Sequence, residues 1–475
     1  MEPELDPKKH PHISKLAGRF ERIGKEVVGV GKDIREIEEH QARRLVRYGR
    51  MLGPGLIAGA ADDDAGGIAT YSIAGATVGL GLSWLLVVST PMLIVVQGMC
   101  ARIGNVAKKG LATVIKEKYG MNAALFAMAV LVLANVATIA ADVAGMAVAM
   151  ELLSSAVLPA GGIAWIWFVL PMTAILGYII VYKNFSSIEK GLMALSLFLL
   201  AYMVSGLAEA LSRPNPLEIF AQTLVPHFSL DPVFLMAAVG LLGTTITPYL
   251  FFWQTRTEIE AKRTEQQMKR VKFDIFAGMI YSNLISYFII LSAAMVLFPH
   301  YDAAAGTFDI GGQTIAASAL TAREIALALK PMSGDYSFYL FAVGLLGASM
   351  LAAIVLATST AYTVCDTFGW SLGLNKKVWQ ARQFYLLIGG SLAAGCALLF
   401  FGVSPIMAMF LSQVLCGVVD PILIYFLMRI ANDRAVMGEH TNNKWENAIG
   451  WLTFAVISLF VVLLFYSFAA PALGL

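Results

Sequence analysis

Three consecutive carboxylates, Asp62, Asp63 and Asp64, stand inside the stretch GPGLIAGAADDDAGGIATYS (53–72), flanked by apolar arms. Each costs several kcal/mol in hydrocarbon unless a base, a proton or a cation neutralises it. A matching polar interruption, Thr244, Thr245, Thr247 and Pro248, lies within LMAAVGLLGTTITPYLFFWQT (235–255). Single acids or amides also fall inside apolar runs at Asp142, Gln413 and Asp420. No Lys or Arg is placed mid-span, and all six histidines (His10, His12, His40, His227, His300, His440) fall in tails or loops. That leaves a cation as the partner. Carboxylates, hydroxyls and freed backbone carbonyls are hard donors suited to Mg²⁺, Ca²⁺ or Mn²⁺, and neither break contains Met, Cys or His.

The elements that must carry these groups follow from composition. The chain has 475 residues, 58% hydrophobic and 14% charged, a balance far from that of a soluble domain and expected of a polytopic membrane protein. Apolar runs predict about eleven spans, at 52–78, 80–101, 122–152, 161–182, 186–211, 232–254, 273–298, 337–364, 383–402, 405–429 and 446–469. In lipid these must be helices. The first fifty residues alternate charge and apolar character without a cleavable apolar core, so 1–50 reads as a cytosolic, partly helical tail rather than a signal peptide. The lipid bilayer is the one macroscopic partner implied. A net charge of +2 gives no nucleic-acid footprint, and no obligate protein partner is indicated. Cys100, Cys365, Cys396 and Cys416 lack CxxC spacing and read as small packing residues.

Basic residues in the short loops set the orientation. The tail, the 102–118 loop, Lys183 and Lys190, the 256–272 loop, Lys376 with Lys377, and Arg434 with Lys444 all fall on one side if every span crosses. That side is expected to be cytoplasmic, in a plasma (inner) membrane, with the N-terminus inside. An odd number of spans then puts the C-terminus outside.

Met51 to Ala61 would rise only about 16 Å as helix, half a bilayer. Joined through the aspartates, the two arms make one crossing, and two half-helices meeting at an unwound, glycine-rich centre (Gly66, Gly67) fit a broken helix, which is permitted where it lines a cavity. The sixth span is broken at Pro248, because an interior proline removes a donor and disrupts the preceding turn. Spans 1 and 6 each open a set of five, as expected for inverted repeats with the substrate site between them. Five spans per half also forces opposite orientations. The expected organisation is a repeat over 51–212, a second over 213–430 and an additional helix over 431–475.

The opening GPG, then an aspartate followed by Gly66, Ile68, Ala69 and Thr70, resembles the first span of the NRAMP divalent-metal transporters, whose signature there is Asp-Pro-Gly-Asn. GTTITPY occupies the place of that family's Met-Pro-His, and IAADVAG around Asp142 and LSQVL around Gln413 match collinearly, so the likeness covers most of the chain from Met51 onward. The resemblance implies an all-α LeuT-like five-plus-five inverted repeat with one extra helix, broken at mid-membrane in helices 1 and 6. It also places the metal-ligating aspartate on Asp64. The family's asparagine becomes Gly67, its methionine Thr247, its histidine Tyr249, and a third-span glutamate of its proton path becomes Gly145.

With the soft ligand missing and the proton path depleted, the chain is similar to the NRAMP-related magnesium transporter branch. Mg²⁺ dehydrates reluctantly, so a wide site with few direct ligands suits it, and Gly67 and Thr247 are expected to make room. The expected transported ion is a largely hydrated Mg²⁺, with Mn²⁺ also accepted. It would be held by Asp64, Thr247, the space at Gly67, and carbonyls near Ala61 and Thr244, without proton coupling and without a bound cofactor. Asp62, Asp63, Asp142, Tyr249, Gln413 and Asp420 are candidates for supporting charges or the pathway. For Asp142 the alternative is a structural hydrogen bond to span 6 or to Thr138. Asn135 and Gln413 are expected to make interhelical hydrogen bonds, and Glu151 to lie at the outer interface. Two other functions fit the same architecture: a proton-coupled Mn²⁺/Fe²⁺ importer, and a cation-coupled organic-solute symporter, which three aspartates oppose if its substrate is anionic. No HExxH, GxSxG or phosphate-binding glycine loop argues for an enzyme.

Overall fold

The computed structural model describes residues 54–158, 162–182, 197–261, 267–330, 336–374 and 376–472. The 1–50 tail and the start of the span expected at 186–211 therefore lie outside the described residues.

The first expected span is two helices, α1 (Pro54–Asp62) and α2 (Ala65–Val78), with Asp63 and Asp64 between them; Gly66 and Gly67, expected to be the unwound centre, are instead helical in the first turn of α2, because Asp64 caps that helix through the Gly67 N–H. There follow α3 (Ser83–Ala107), a short α4 (Leu111–Tyr119), the long α5 (Met121–Val157), α6 (Ile166–Tyr182), α7 (Leu200–Ser212) and α8 (Pro216–Gln222). The sixth expected span is again two helices, α9 (Pro232–Thr245) and α10 (Pro248–Glu260), because Pro248 starts the second at its N-terminus. Next come α11 (Met268–Val296), a small antiparallel sheet, α12 (Ala322–Ala326), α13 (Ser337–Phe368), α14 (Arg382–Leu398), α15 (Pro405–Ala431), α16 (Arg434–Met437) and α17 (Lys444–Ala472). Eight helical segments among the described residues are long and apolar enough to cross a membrane. With the shorter apolar segments Ile166–Tyr182 and Leu197–Ser212 and the α1–α2 pair, the described residues are consistent with about eleven spans.

The sheet joins β1 (Tyr301–Asp302), β2 (Thr307–Ile310) and β3 (Gln313–Ala316) in sequence order. Gly311 and Gly312 form the β2–β3 turn with φ of 61° and 79°, a two-residue turn that needs positive φ at both positions.

Backbones rather than large side chains meet at two helix contacts, as expected where apolar lipid gives little drive for association. On α1, a Cβ at Gly55 would lie 2.6 Å from the backbone nitrogen of Ile275, and one at Gly59 would strike the carbonyl of Gly278, both on α11. On α9, Gly243 meets the backbone of Gly417 and Gln413 on α15, while Gly417 in turn abuts Val239. These approaches hold α1 against α11 and α9 against α15, beside the two breaks.

Candidate metal centre

Asp64 occupies the N-cap position of α2, with extended backbone at φ −73° and ψ 178°. Its Oδ1 accepts from the Gly67 N–H at 2.5 Å, satisfying one of the helix's orphan donors. Oδ2 faces Gln413 Nε2 of α15 at 3.3 Å. The side chain is fully buried. Asp62, Asp63, Asp142 and Asp420 are buried as well, and no ion pair among the described residues reaches any of the five.

Facing Asp64 across the break is the end of α9. Thr244 Oγ1 is buried without a partner and would stand 2.8 Å from a Cβ built on Gly67. The absence of a side chain at Gly67 thus lets α9 approach α2, and in this conformation Thr244 fills the space that the sequence suggested would be open. Thr247 caps α10 by position but makes no side-chain bond to its own helix. It donates instead to Asp62 Oδ1 at 2.6 Å, linking the two broken helices. Tyr249 adds a second link, its hydroxyl donating to the Ala61 carbonyl at 2.8 Å. Thr247 and the Ala61 carbonyl are therefore engaged with the opposite break here.

Asp62 and Asp63 turn toward α11. Ser282 Oγ lies 3.1 Å from Asp62 Oδ2 and 3.2 Å from Asp63 Oδ1, and Ser286 Oγ lies 3.2 Å from the same Asp63 oxygen. Sequence reading missed both serines. Their four-residue spacing in an otherwise apolar span is the signal that could have found them, since it puts both hydroxyls on one helix face. Asp142 accepts from the Ala65 N–H at 3.2 Å and leaves Oδ2 unpartnered. Its partner is thus the first span, whereas Thr138 bonds to the Ala134 carbonyl and approaches Cys416. A Cβ at Gly145, one turn along α5, would lie 2.5 Å from Ala65 Cβ. That closeness keeps α2 against α5. Asn135 donates to Thr360 at 2.9 Å, an interhelical bond of the expected kind. Among the described residues no three Asp, Glu, His or Cys side chains gather as a metal cluster. Any ion here would rest on one carboxylate supported by hydroxyl, amide and carbonyl oxygens.

At one end of the bundle α10 is tied down. Buried Glu258 accepts from Gln254 and Asn105 at 2.9 and 3.1 Å, Tyr362 donates to Glu260 at 2.9 Å, and Arg256 pairs with Asp366 at 3.5 Å. At the other end a 400 Å³ cavity is lined by Glu151, Trp165, Arg323 and Ser404, among others.

Two interrupted membrane helices, facing each other around buried polar groups, define a LeuT-type integral membrane fold. Solved structures share it. The Eremococcus coleocola manganese transporter, in complex with an aromatic bis-isothiourea compound, superposes with a TM-score of 0.67 at 20% identity, over 88% of this chain and 86% of that one. MhsT in complex with L-phenylalanine gives 0.56 at 15% identity, over 87% of this chain and 98% of its own. The family model described as "Natural resistance-associated macrophage protein-like" matches residues 55–467, and the chain belongs to this Nramp family. Relatives named divalent metal cation transporter MntH are 24% identical. The one from Mycobacterium tuberculosis aligns over 95% of this chain and 99% of its own length. For the one from Mycobacterium bovis the figures are 98% and 64%, so this chain spans less than two thirds of that relative.

Proposed function

We propose that this protein carries divalent cations across the plasma (inner) membrane by alternating access, with Mg²⁺ the principal substrate and Mn²⁺ also accepted. The observation that carries the reading is Asp64: a fully buried carboxylate at a helix break, without a basic partner among the described residues, opposite the unpartnered Thr244 hydroxyl. An oxygen-seeking cation completes this arrangement. The family supports a divalent metal as cargo, and the hard donor set favours Mg²⁺ over softer ions. Asp64, Thr244, Thr247 and the Ala61 carbonyl would surround the ion once Thr244 withdraws from Gly67 and the Thr247 and Tyr249 hydroxyls release their present partners, and Gln413 would steady Asp64.

Basic residues support a cytoplasmic assignment for the end where α10 is tied down. Lys118 pairs with Asp433, Arg256 with Asp366, and Lys116 donates to the Thr367 carbonyl at 2.9 Å. The cavity near Glu151 then opens toward the outside, with the N-terminus inside and the C-terminus outside. Inward release requires the α10 contacts to part. A negative-inside potential favours entry by about 2.3 kcal/mol per charge per 100 mV, doubled for a divalent ion. No proton need accompany it.

A second reading, proton-coupled Mn²⁺ or Fe²⁺ import, is favoured by the unpartnered Asp142 Oδ2 beside the break. Proteoliposomes reporting Mg²⁺ entry and internal pH together separate the two. Mg²⁺ uptake at constant internal pH is expected. Acidification coupled to Mn²⁺ entry, with no Mg²⁺ uptake, would establish the second reading instead.

A further inference from the structure

One buried acid has no role in the site at Asp64. Asp420 lies within α15, is fully buried, and has no partner on either carboxylate oxygen. A buried carboxylate lacking every donor is costly, and the cost is relieved by a cation.

Other oxygens collect at its level. Helices α5 and α15 run antiparallel and touch where Thr138 Oγ1 lies 3.4 Å from Cys416 Sγ. One turn further toward the basic end, along each helix, come Asn135 and Asp420. Asn135 directs Nδ2 to Thr360, leaving a buried Oδ1 without a partner. Pro421, inside α15, has no N–H to offer the Gly417 carbonyl, which lies one turn earlier. Gln413, which reaches Asp64, precedes Asp420 by two turns of the same helix, about 10 Å along its axis.

We propose that Asp420, the Asn135 amide oxygen and the Gly417 carbonyl form a second binding position for the divalent cation, between Asp64 and the basic end of the bundle. The proposal rests on the reading of Asp64 as an ion ligand. Its donors are all hard oxygens, so it takes the same class of ion, Mg²⁺ or Mn²⁺. A stepping place shortens the passage through low dielectric, since binding in transit must be favourable enough to enter and weak enough to leave.

The test counts Mn²⁺ bound to the purified full-length chain at saturation, by equilibrium dialysis, beside uptake into proteoliposomes. The wild type is expected to hold about two ions, and Asp420→Asn and Asp64→Asn about one each. Asp420→Asn should also lower the maximal uptake rate about tenfold with KM changed less than about threefold, because the ion still loads at Asp64. A wild-type count and rate in Asp420→Asn overturns the second position and leaves the Asp64 reading standing. An undiminished count in Asp64→Asn overturns that reading instead. Should Asp420→Asn fail to fold, Asn135→Ala decides by the same count: a loss of one ion supports the position, and no loss overturns it.

Discussion

The Tyr249 hydroxyl donates to the Ala61 carbonyl at 2.8 Å, so a side chain from the second broken helix occupies a backbone oxygen freed by the first. Removing that hydroxyl leaves a buried carbonyl unsatisfied, at a cost of about 1–3 kcal/mol. An ion bound at the break would compensate. Tyr249→Phe is therefore expected to unfold at a lower temperature than wild type without divalent ions and to gain more than wild type when Mg²⁺ is added. Thermal unfolding across a Mg²⁺ series checks this, and equal gains in the two proteins would refute it.

Asp64 combines full burial, one bond to its own helix and one long contact to Gln413. Asp64→Ala is expected to reduce Mg²⁺ uptake into liposomes by at least about a hundredfold, through loss of the one anionic ligand assigned to the ion. Gly67→Asn acts differently. Its Cβ would press on Thr244, and its amide would replace water around the ion, so Mg²⁺ uptake should fall more than Mn²⁺ uptake when both are measured in one preparation.

Ser282 stands between two carboxylates with a single hydrogen to share. Ser282→Ala removes a hydrogen-bond partner from two buried carboxyl groups and should cost about 1–3 kcal/mol of stability, read as a lowered midpoint of thermal unfolding. Ser286→Ala is expected to cost less, because Ser286 Oγ also bonds the Ser282 carbonyl of its own helix. Indistinguishable midpoints for both variants and wild type would show that these hydroxyls do not support the aspartates.

Arg256 and Asp366 form a partly buried pair at 3.5 Å that helps fasten α10 to α13. Such a pair contributes on the order of 1 kcal/mol, so its loss shifts an open–closed equilibrium about fivefold. Cys100 lies buried beneath α10, its carbonyl accepting from Thr255. In a chain retaining Cys100 as its sole cysteine, Arg256→Ala should raise the rate of maleimide labelling by that factor. An unchanged rate would remove the pair from the closure.

The two breaks were legible in the sequence because each carries a local signature: Pro248 cannot continue a helix, and three acids cannot sit on a lipid-facing turn. The Gln413 position was legible by resemblance, and its contact with Asp64 follows from the approach of α15 to α2. Contacts made by register were not legible. Nothing in the pattern of α11 specifies that Ser282 and Ser286 meet Asp62 and Asp63, since that pairing depends on how α1 settles through Gly55 and Gly59. The Ala65 N–H partner of Asp142 was hidden for the same reason. The small sheet had a readable signal, Gly311–Gly312 between alternating residues, but it lies in a long connection where a search for apolar spans finds nothing.

Where Gly243 and Gly417 let α9 and α15 meet backbone to backbone, and Gly55 and Gly59 do the same for α1 and α11, there is no compressible material between the partners. In the alternating access proposed above, each couple is expected to move as one stiff beam. Rocking would then be confined to the seams between the couples, which are fastened by hydroxyls and carboxylates that can exchange one partner for another at little cost.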